Sequence, residues 1–115
     1  MEISTTRFEL LEINLISALE LKLPRSLPSR EDLHTYAVVW IDPKQNLWSR
    51  VDVTGFENPK WNEKFVFVFV VDAKTLNSWS TSELVIELYW VRRFGKDRLI
   101  GTFAGEFWEL SQMLL

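Results

Sequence analysis

The chain has 115 residues, of which 47% are hydrophobic and 14% aromatic, enough for one packed core and too apolar for a disordered segment. Its formal net charge of −3 argues against a nucleic-acid-binding domain, which is normally basic. The absence of cysteine excludes disulfides and thiol chemistry and favours an intracellular compartment.

Targeting and anchoring signals are missing from the sequence. The apolar stretch from Leu10 to Leu19 contains Glu12 and Asn14 and lacks a basic lead-in, so it does not resemble a signal peptide. No apolar run approaches the roughly 20 residues of a membrane-spanning helix. We therefore expect a soluble, cytoplasmic protein with one domain over residues 1–115.

The first half of the chain predicts three β-strands. The first alternates loosely and has one apolar face, and a loop with Pro24 and Pro28 separates it from the second. An Asp-Pro turn at 42–46 separates the second from the third and predicts a hairpin. The predicted strands cover 8–17, 34–41 and 47–53.

The most β-prone stretch follows a sharp turn at Asn58-Pro59, where proline prevents a helix. From Phe65 to Val71, phenylalanines point to one face of the strand and valines to the other. Trp61 adds a large ring that must be covered. Because both faces are apolar, we expect a central strand that is covered on two sides, or an assembly surface.

Two further strands are predicted in the second half, at 84–90 and 99–107, with a basic loop between them. The polar segment 72–81 is compatible with a helical turn at 73–76. The segment 108–115 is compatible with a short apolar turn of helix. Six short strands with turns about every ten residues predict an all-β protein, an antiparallel β-sandwich.

Four segments together resemble the C2 domain family. Leu11–Ala18 and Tyr36–Val39 resemble its first two strands, Asn58–Phe65 resembles its most specific motif, and Gly95–Gly101 resembles the end of its third binding loop. The sequence motifs of this chain most resemble those of small plant C2 proteins of the cold- and pathogen-responsive kind, in which Thr-Tyr-Ala-Val-Val and Asn-Pro-x-Trp-Asn recur.

The resemblance implies an eight-stranded Greek-key sandwich whose loops at one end bind calcium and anionic lipid. It also implies two strands after the sixth, which this sequence does not reach. We therefore expect a C2 domain that lacks its last two strands. The resulting open edges favour some self-association or a protein partner.

The calcium site that the resemblance implies has lost its ligands. Its first aspartate falls in a loop without acids, at 23–27, and the others fall on His34, Trp90, Arg92 and Arg98. Because calcium needs clustered carboxylate oxygens, we expect no bound cofactor. Asp32 and Asp97 lie near the lost positions and are weak candidates for a shifted metal site.

Basic and aromatic side chains take the place of the acids. Such a mixture suits lipid phosphates and the acyl boundary of a membrane. A second, weaker lipid site rests on Lys44 and Arg50. The alternative is that Trp90 faces the core and the arginines only solvate a loop. The lipid-binding residues predicted in the first site are Trp90, Arg92, Arg93, Phe94, Lys96 and Arg98.

No catalytic motif is present, and His34 is the single histidine, so we expect no enzyme. The favoured function is a calcium-independent module that binds anionic phospholipid at the plasma membrane in plant stress or immune signalling. The alternative is a protein-interaction C2 domain with little lipid binding. A remoter one takes the six tryptophans as sugar-stacking platforms.

Overall fold

The computed structural model describes residues 7–41, 45–71 and 83–106, which form six strands and one 3₁₀ turn at Arg30–Asp32. The predicted helical turns at 73–76 and 108–115 lie outside the described residues. The strands are β1 (Arg7–Ser17), β2 (Thr35–Trp40), β3 (Leu47–Trp48), β4 (Lys60–Val71), β5 (Glu83–Trp90) and β6 (Arg98–Glu106).

The strands form two sheets in which every pair is antiparallel. One sheet has the order β1-β4 and the other the order β3-β2-β5-β6. In the first sheet the register shifts between Leu15 and Ser17, where Asn62 of β4 has a φ of 49° and forms a bulge. The predicted antiparallel sandwich is therefore confirmed.

The hydrophobic core lies between the two sheets because alternate residues of each strand face inward. On β4, Phe65 and Phe67 are 5% and 2% exposed, as their spacing predicts. Partly buried side chains from β1, β3, β5 and β6 surround the centre. The fully buried cluster consists of Ile13, Val39, Phe65, Phe67 and Leu84.

The other face of β4 corrects the prediction of a central strand covered on two sides. Val66 and Val68 are 46% and 53% exposed. Within the described ranges β4 pairs with β1 alone. The second part of that prediction, an assembly surface, stays a prediction.

The turn before β4 is fixed by contacts with the residues after β1. The Asn58 side-chain oxygen accepts a 2.9 Å hydrogen bond from the Glu20 amide, and the Pro59 carbonyl accepts one of 3.0 Å from Ala18. A Cβ at Gly55 would lie 2.5 Å from the Asn58 carbonyl oxygen, so the turn requires glycine there. The turn therefore brings the end of β1 and the start of β4 together.

The third strand is shorter than predicted. It spans Leu47–Trp48 instead of 47–53, and pairing with β2 resumes only as an isolated bridge between Thr35 and Asp52. Between them the Ser49 hydroxyl accepts the hydrogen bond from the Ala37 amide at 2.8 Å. A side-chain hydroxyl thus replaces a ladder carbonyl and interrupts the strand.

Candidate functional site

Two loops meet at one end of the sandwich: the β1–β2 loop (residues 18–34) and the β5–β6 loop (residues 91–97). Thr35 and Trp90, which flank these loops, are paired across β2 and β5. The Val91 amide extends the pairing with a 2.9 Å hydrogen bond to the His34 carbonyl. The predicted site residues of the two loops are therefore neighbours in space.

Trp90 packs inside this end of the fold. Its side chain is 5% exposed, and its Nε1 donates a 3.3 Å hydrogen bond to the Asp32 carbonyl oxygen. The ring therefore joins the two loops, and it does not present a face to a membrane. This burial fits the alternative in which Trp90 faces the core, because its pairing opposite Thr35 turns it inward.

The tip of the β5–β6 loop is open to solvent. Residues 92–99 are all exposed, and Phe94 is 81% exposed. Gly95 has a φ of 83°, the left-handed conformation that lets the chain reverse beside the ring. The described contacts include none for the Arg93 and Lys96 side chains, which flank Phe94. A bare aromatic ring between two free cations therefore forms the tip.

Asp97 holds the base of this loop. Its Oδ2 accepts a 2.8 Å hydrogen bond from the Tyr36 hydroxyl, and its Oδ1 accepts one of 3.3 Å from the Arg92 amide. Burial, with a smaller contribution from Asp97, raises the pKa of Tyr36 to about 12. The Arg92 guanidinium lies 5.8 Å from the centre of the Trp90 ring, a cation–π contact.

These contacts do not fit a calcium site. Both oxygens of Asp97 already accept hydrogen bonds, and Asp32 offers its carbonyl to Trp90. In the described part of the chain, no group of three or more His, Cys, Asp or Glu residues could hold a metal ion. Since calcium takes six to eight oxygen ligands, the residues at this end do not supply them.

The β1–β2 loop contributes two cations that the sequence analysis did not select. Lys22 and Arg25 line a cavity of about 320 Å³ together with Arg98. The Arg98 Nη1 donates a 3.3 Å hydrogen bond to the Ser26 hydroxyl, which fixes the two loops side by side. A count of basic residues in the loop that lacks acids would have found them.

An ion pair fastens the β1–β2 loop to the turn before β4. The Arg30 guanidinium nitrogen Nε lies 2.6 Å from both carboxyl oxygens of Glu57, and its Cζ lies 5.0 Å from the Phe56 ring centre. This hydrogen bonding raises the pKa of Arg30 and lowers that of Glu57. The Arg30 guanidinium group is therefore engaged in contacts within the fold.

A second cavity, of about 390 Å³, lies between the loops. Its lining combines Arg92, Arg93 and Phe94 of the β5–β6 loop with Asp32 and His34 of the β1–β2 loop. Of the six residues predicted for the first lipid site, four lie in the exposed β5–β6 loop: Arg92, Arg93, Phe94 and Lys96. Arg98 begins β6 opposite Trp90, which is buried.

The described contacts of Arg50, from the predicted second lipid site, include none with the residues of the first. Arg50 is exposed, and its amide donates a 2.6 Å hydrogen bond to Glu63 on β4. It follows β3, so it lies on the flank of β2 opposite to β5. Lys44 lies outside the described residues.

A comparison of the chain with protein-family models identifies the family of this sandwich. Residues 9–112 match the family model for the C2 domain, so the chain belongs to the C2 domain family. The predicted membership is confirmed. C2 domains generally bind phospholipids and proteins. A comparison with curated proteins found no significant match.

Solved structures share the fold. A C2 domain of RIM from Drosophila is 22% identical, with 84% of this chain and 74% of that chain covered and a TM-score of 0.68. A C2 domain of plant Extended Synaptotagmin 1 is 16% identical, with 83% of this chain and 66% of that chain covered and a TM-score of 0.64. A C2 domain-containing protein whose gene is described as elicitor-responsive is 19% identical, with 97% of this chain and 74% of that chain covered and a TM-score of 0.58.

The described residues include no helix long and apolar enough to cross a membrane.

Proposed function

We propose that this chain acts as a single, non-catalytic C2 module that binds anionic phospholipid membranes without calcium, through the tip of its β5–β6 loop. The observation that carries this proposal is Phe94, 81% exposed between Arg93 and Lys96. An exposed aromatic ring suits the acyl boundary of a membrane, and the adjacent cations select a negatively charged surface.

The energies of these contacts predict weak, reversible binding. A basic side chain near an anionic surface contributes about 1 kcal/mol, and burying a phenylalanine ring about 2 kcal/mol. With the basic residues of the loop and Arg98 at the start of β6, the total of about 6 kcal/mol corresponds to a dissociation constant between millimolar and micromolar. Lys22 and Arg25 extend the same surface and strengthen the attraction.

The place of action follows from the lipid. The cytoplasmic leaflet of the plasma membrane carries the anionic lipids that attract such a surface, so we assign the chain to the cytoplasm and to the periphery of that membrane. The structural similarity to the protein from the elicitor-responsive gene supports a role in plant stress or immune signalling. Binding without calcium is supported by the engagement of Asp97 with Tyr36 and Arg92.

Vesicle co-sedimentation tests the proposal. The chain is mixed with phosphatidylcholine vesicles, with or without phosphatidylserine, in calcium and in chelator. We expect binding only to the anionic vesicles, equal in calcium and chelator, and weaker at high salt because the charges are screened. Phe94→Ala should weaken it by about thirtyfold and Arg93→Ala by about fivefold, as losses of about 2 and about 1 kcal/mol imply.

Lys64→Ala is the matched control for Arg93→Ala, since it also removes one exposed positive charge. Lys64 lies on β4, where it pairs with Glu12 at 3.0 Å, away from the loop tip. Equal losses in the two variants would show attraction to net charge alone, and the loop site would be rejected. Binding that requires calcium would reject calcium independence.

A protein-interaction module is the alternative, and the outer face of the β1–β4 sheet favours it. Leu10, Val66 and Val68 are 68%, 46% and 53% exposed and lie together, beside the Glu12–Lys64 pair. A second copy is the partner that we propose for this face, because a twofold axis between Glu12 and Lys64 would place Glu12 of each chain near the other's Lys64. Concentration-dependent sedimentation that Val66→Thr with Val68→Thr abolishes would support this function.

A further inference from the structure

The outer face of the four-stranded sheet carries a row of aromatic rings. Tyr36 of β2 lies between Trp48 of β3 and Tyr89 of β5, with ring centres 5.5 and 5.4 Å away and interplanar angles of 10° and 14°. Trp40 shares the face with Tyr36, since it is four residues further along β2. Val38 lies between them on the same face. Its side chain is 5% exposed.

These residues enclose a groove of about 340 Å³. Register places Val38 directly between Trp48 and Glu87, so Val38 is the floor and the other two are the side walls. Trp40 closes one end, and Tyr36 closes the other. The described lining residues are Tyr36, Val38, Trp40, Asn46, Trp48, Glu87, Tyr89 and Asp97.

The groove is built for a positive charge. Its described lining includes the carboxyl groups of Glu87 and Asp97 and no basic side chain. Hydrogen bonds from tyrosine hydroxyls hold these groups: Tyr89 donates to Glu87 Oε1 at 3.0 Å and Tyr36 to Asp97 at 2.8 Å. Aromatic faces attract ammonium and guanidinium groups, and nearby carboxylates add to that attraction.

We infer that this groove binds a lysine or arginine side chain of a basic peptide segment, with the cation between Trp48 and Glu87. Trp48 is 64% exposed and offers a free ring face, and Glu87 lies across the floor from it. The groove extends from Tyr36 to Trp40, about 13 Å along the strand. That length suits an extended peptide that lies on the sheet.

A lipid headgroup suits the groove less well. The exposed loop tip belongs to the end of the sandwich where Thr35 and Trp90 pair, and the groove runs from Tyr36 along β2 away from that end. A membrane that contacts Phe94 would reach only the part beside Asp97. The two sites therefore use different contact residues, although Asp97 both lines the groove and supports the base of the β5–β6 loop.

Calorimetric titration tests the inference. The probe is a short glycine-arginine repeat peptide, and its matched control replaces each arginine by neutral citrulline. We expect the arginine peptide alone to bind. Trp48→Ala and Glu87→Gln should each weaken that binding by about tenfold. Glu87→Gln keeps an oxygen for the Tyr89 hydroxyl, so its effect reports the lost charge and not a lost fold.

Phe94→Ala separates this site from the proposed lipid site. It should leave peptide binding unchanged, while Trp48→Ala should leave vesicle binding unchanged. No binding of the arginine peptide at millimolar concentration would overturn the inference, as would equal binding of the citrulline peptide. Binding of neutral phosphatidylcholine vesicles that Trp48→Ala abolishes would also overturn it, because the occupant would then be a choline headgroup.

Discussion

The Tyr36 hydroxyl donates a 2.8 Å hydrogen bond to Asp97, which lies 61 positions later in the sequence. This contact joins the four-stranded sheet to the base of the exposed loop. It gives Asp97 a structural role at a place where the resemblance to C2 domains implied calcium ligands. The Tyr36 hydroxyl therefore helps to position the base of this loop.

Tyr36→Phe tests this role. The variant removes one hydrogen bond and keeps the ring stack with Trp48 and Tyr89, so we expect the free energy of unfolding to fall by about 1 kcal/mol. Amide hydrogen exchange in residues 92–97 should become faster, because Asp97 loses one of its two supports.

Tyr89→Phe is the matched control, since the Tyr89 hydroxyl bonds Glu87 within the same strand. It should leave exchange in the β5–β6 loop unchanged. If the two variants accelerated that exchange equally, the Tyr36–Asp97 bond would not be what fixes the loop.

The raised pKa of Tyr36, from 10.0 to about 12, predicts a loss of stability in alkali. The folded protein holds this proton more tightly than the unfolded chain does. The contribution to stability is therefore complete below pH 10, and it is lost as the pH rises from 10.0 through about 12. Denaturant unfolding at a series of pH values measures this fall.

Burial and the bond to Glu87 also raise the pKa of Tyr89, so the two tyrosines of the chain must be separated. In the Tyr89→Phe variant, the ultraviolet absorbance of tyrosinate reports Tyr36 alone. A midpoint near 10 in the folded variant would contradict the buried, hydrogen-bonded hydroxyl.

Gly55→Ala should destabilise the turn that leads into β4. The new Cβ would lie 2.5 Å from the Asn58 carbonyl oxygen and 2.8 Å from the Pro59 Cα, both of them backbone atoms that cannot rotate away. We expect a loss of about 2 to 4 kcal/mol in thermal or denaturant unfolding.

Gly101→Ala is the comparison, because its Cβ would lie 3.7 Å from a Leu88 side-chain carbon, an ordinary contact. Its effect should be below that of Gly55→Ala by at least about 1 kcal/mol. Similar losses in both variants would mean that the turn accommodates a side chain.

The sequence predicts the strands well because their alternation reflects burial on one face. Phe65 and Phe67 lie in the core, as their spacing indicates. The end of β3 was not predictable, since the Ser49 hydroxyl that interrupts it bonds the distant Ala37 amide. Local patterns do not show which strand a side-chain hydroxyl will meet.

The candidate site also has a part that the sequence predicts and a part that only the folded structure defines. The composition of the β5–β6 loop predicts that Arg93, Phe94 and Lys96 form an exposed cluster. The loop has too few apolar residues to bury these three side chains. The inward turn of Trp90 depends on its pairing with Thr35, which only the assembled sheet defines. Lys22 lies near Arg98 for the same reason, because the assembled fold brings the two loops together.

Trp61→Phe tests the buried ring that follows the turn. Trp61 is 0% exposed, and its Nε1 donates a 3.1 Å hydrogen bond to the Thr35 carbonyl oxygen. That oxygen also accepts a 2.7 Å bond from the Asp52 amide, so it keeps a partner in the variant. The loss should therefore come from one hydrogen bond and a small cavity, about 2 to 3 kcal/mol in denaturant unfolding.

Trp48→Phe makes the same chemical change at a ring that is 64% exposed. It should alter the free energy of unfolding by less than about 0.5 kcal/mol, because solvent fills the space that the smaller ring leaves. If Trp61→Phe were equally mild, the indole nitrogen and the packing around it would contribute little. The stability of the turn would then depend mainly on the Asp52 carboxyl group, which accepts hydrogen bonds from the Gly55 and Lys60 amides at 2.8 and 3.2 Å.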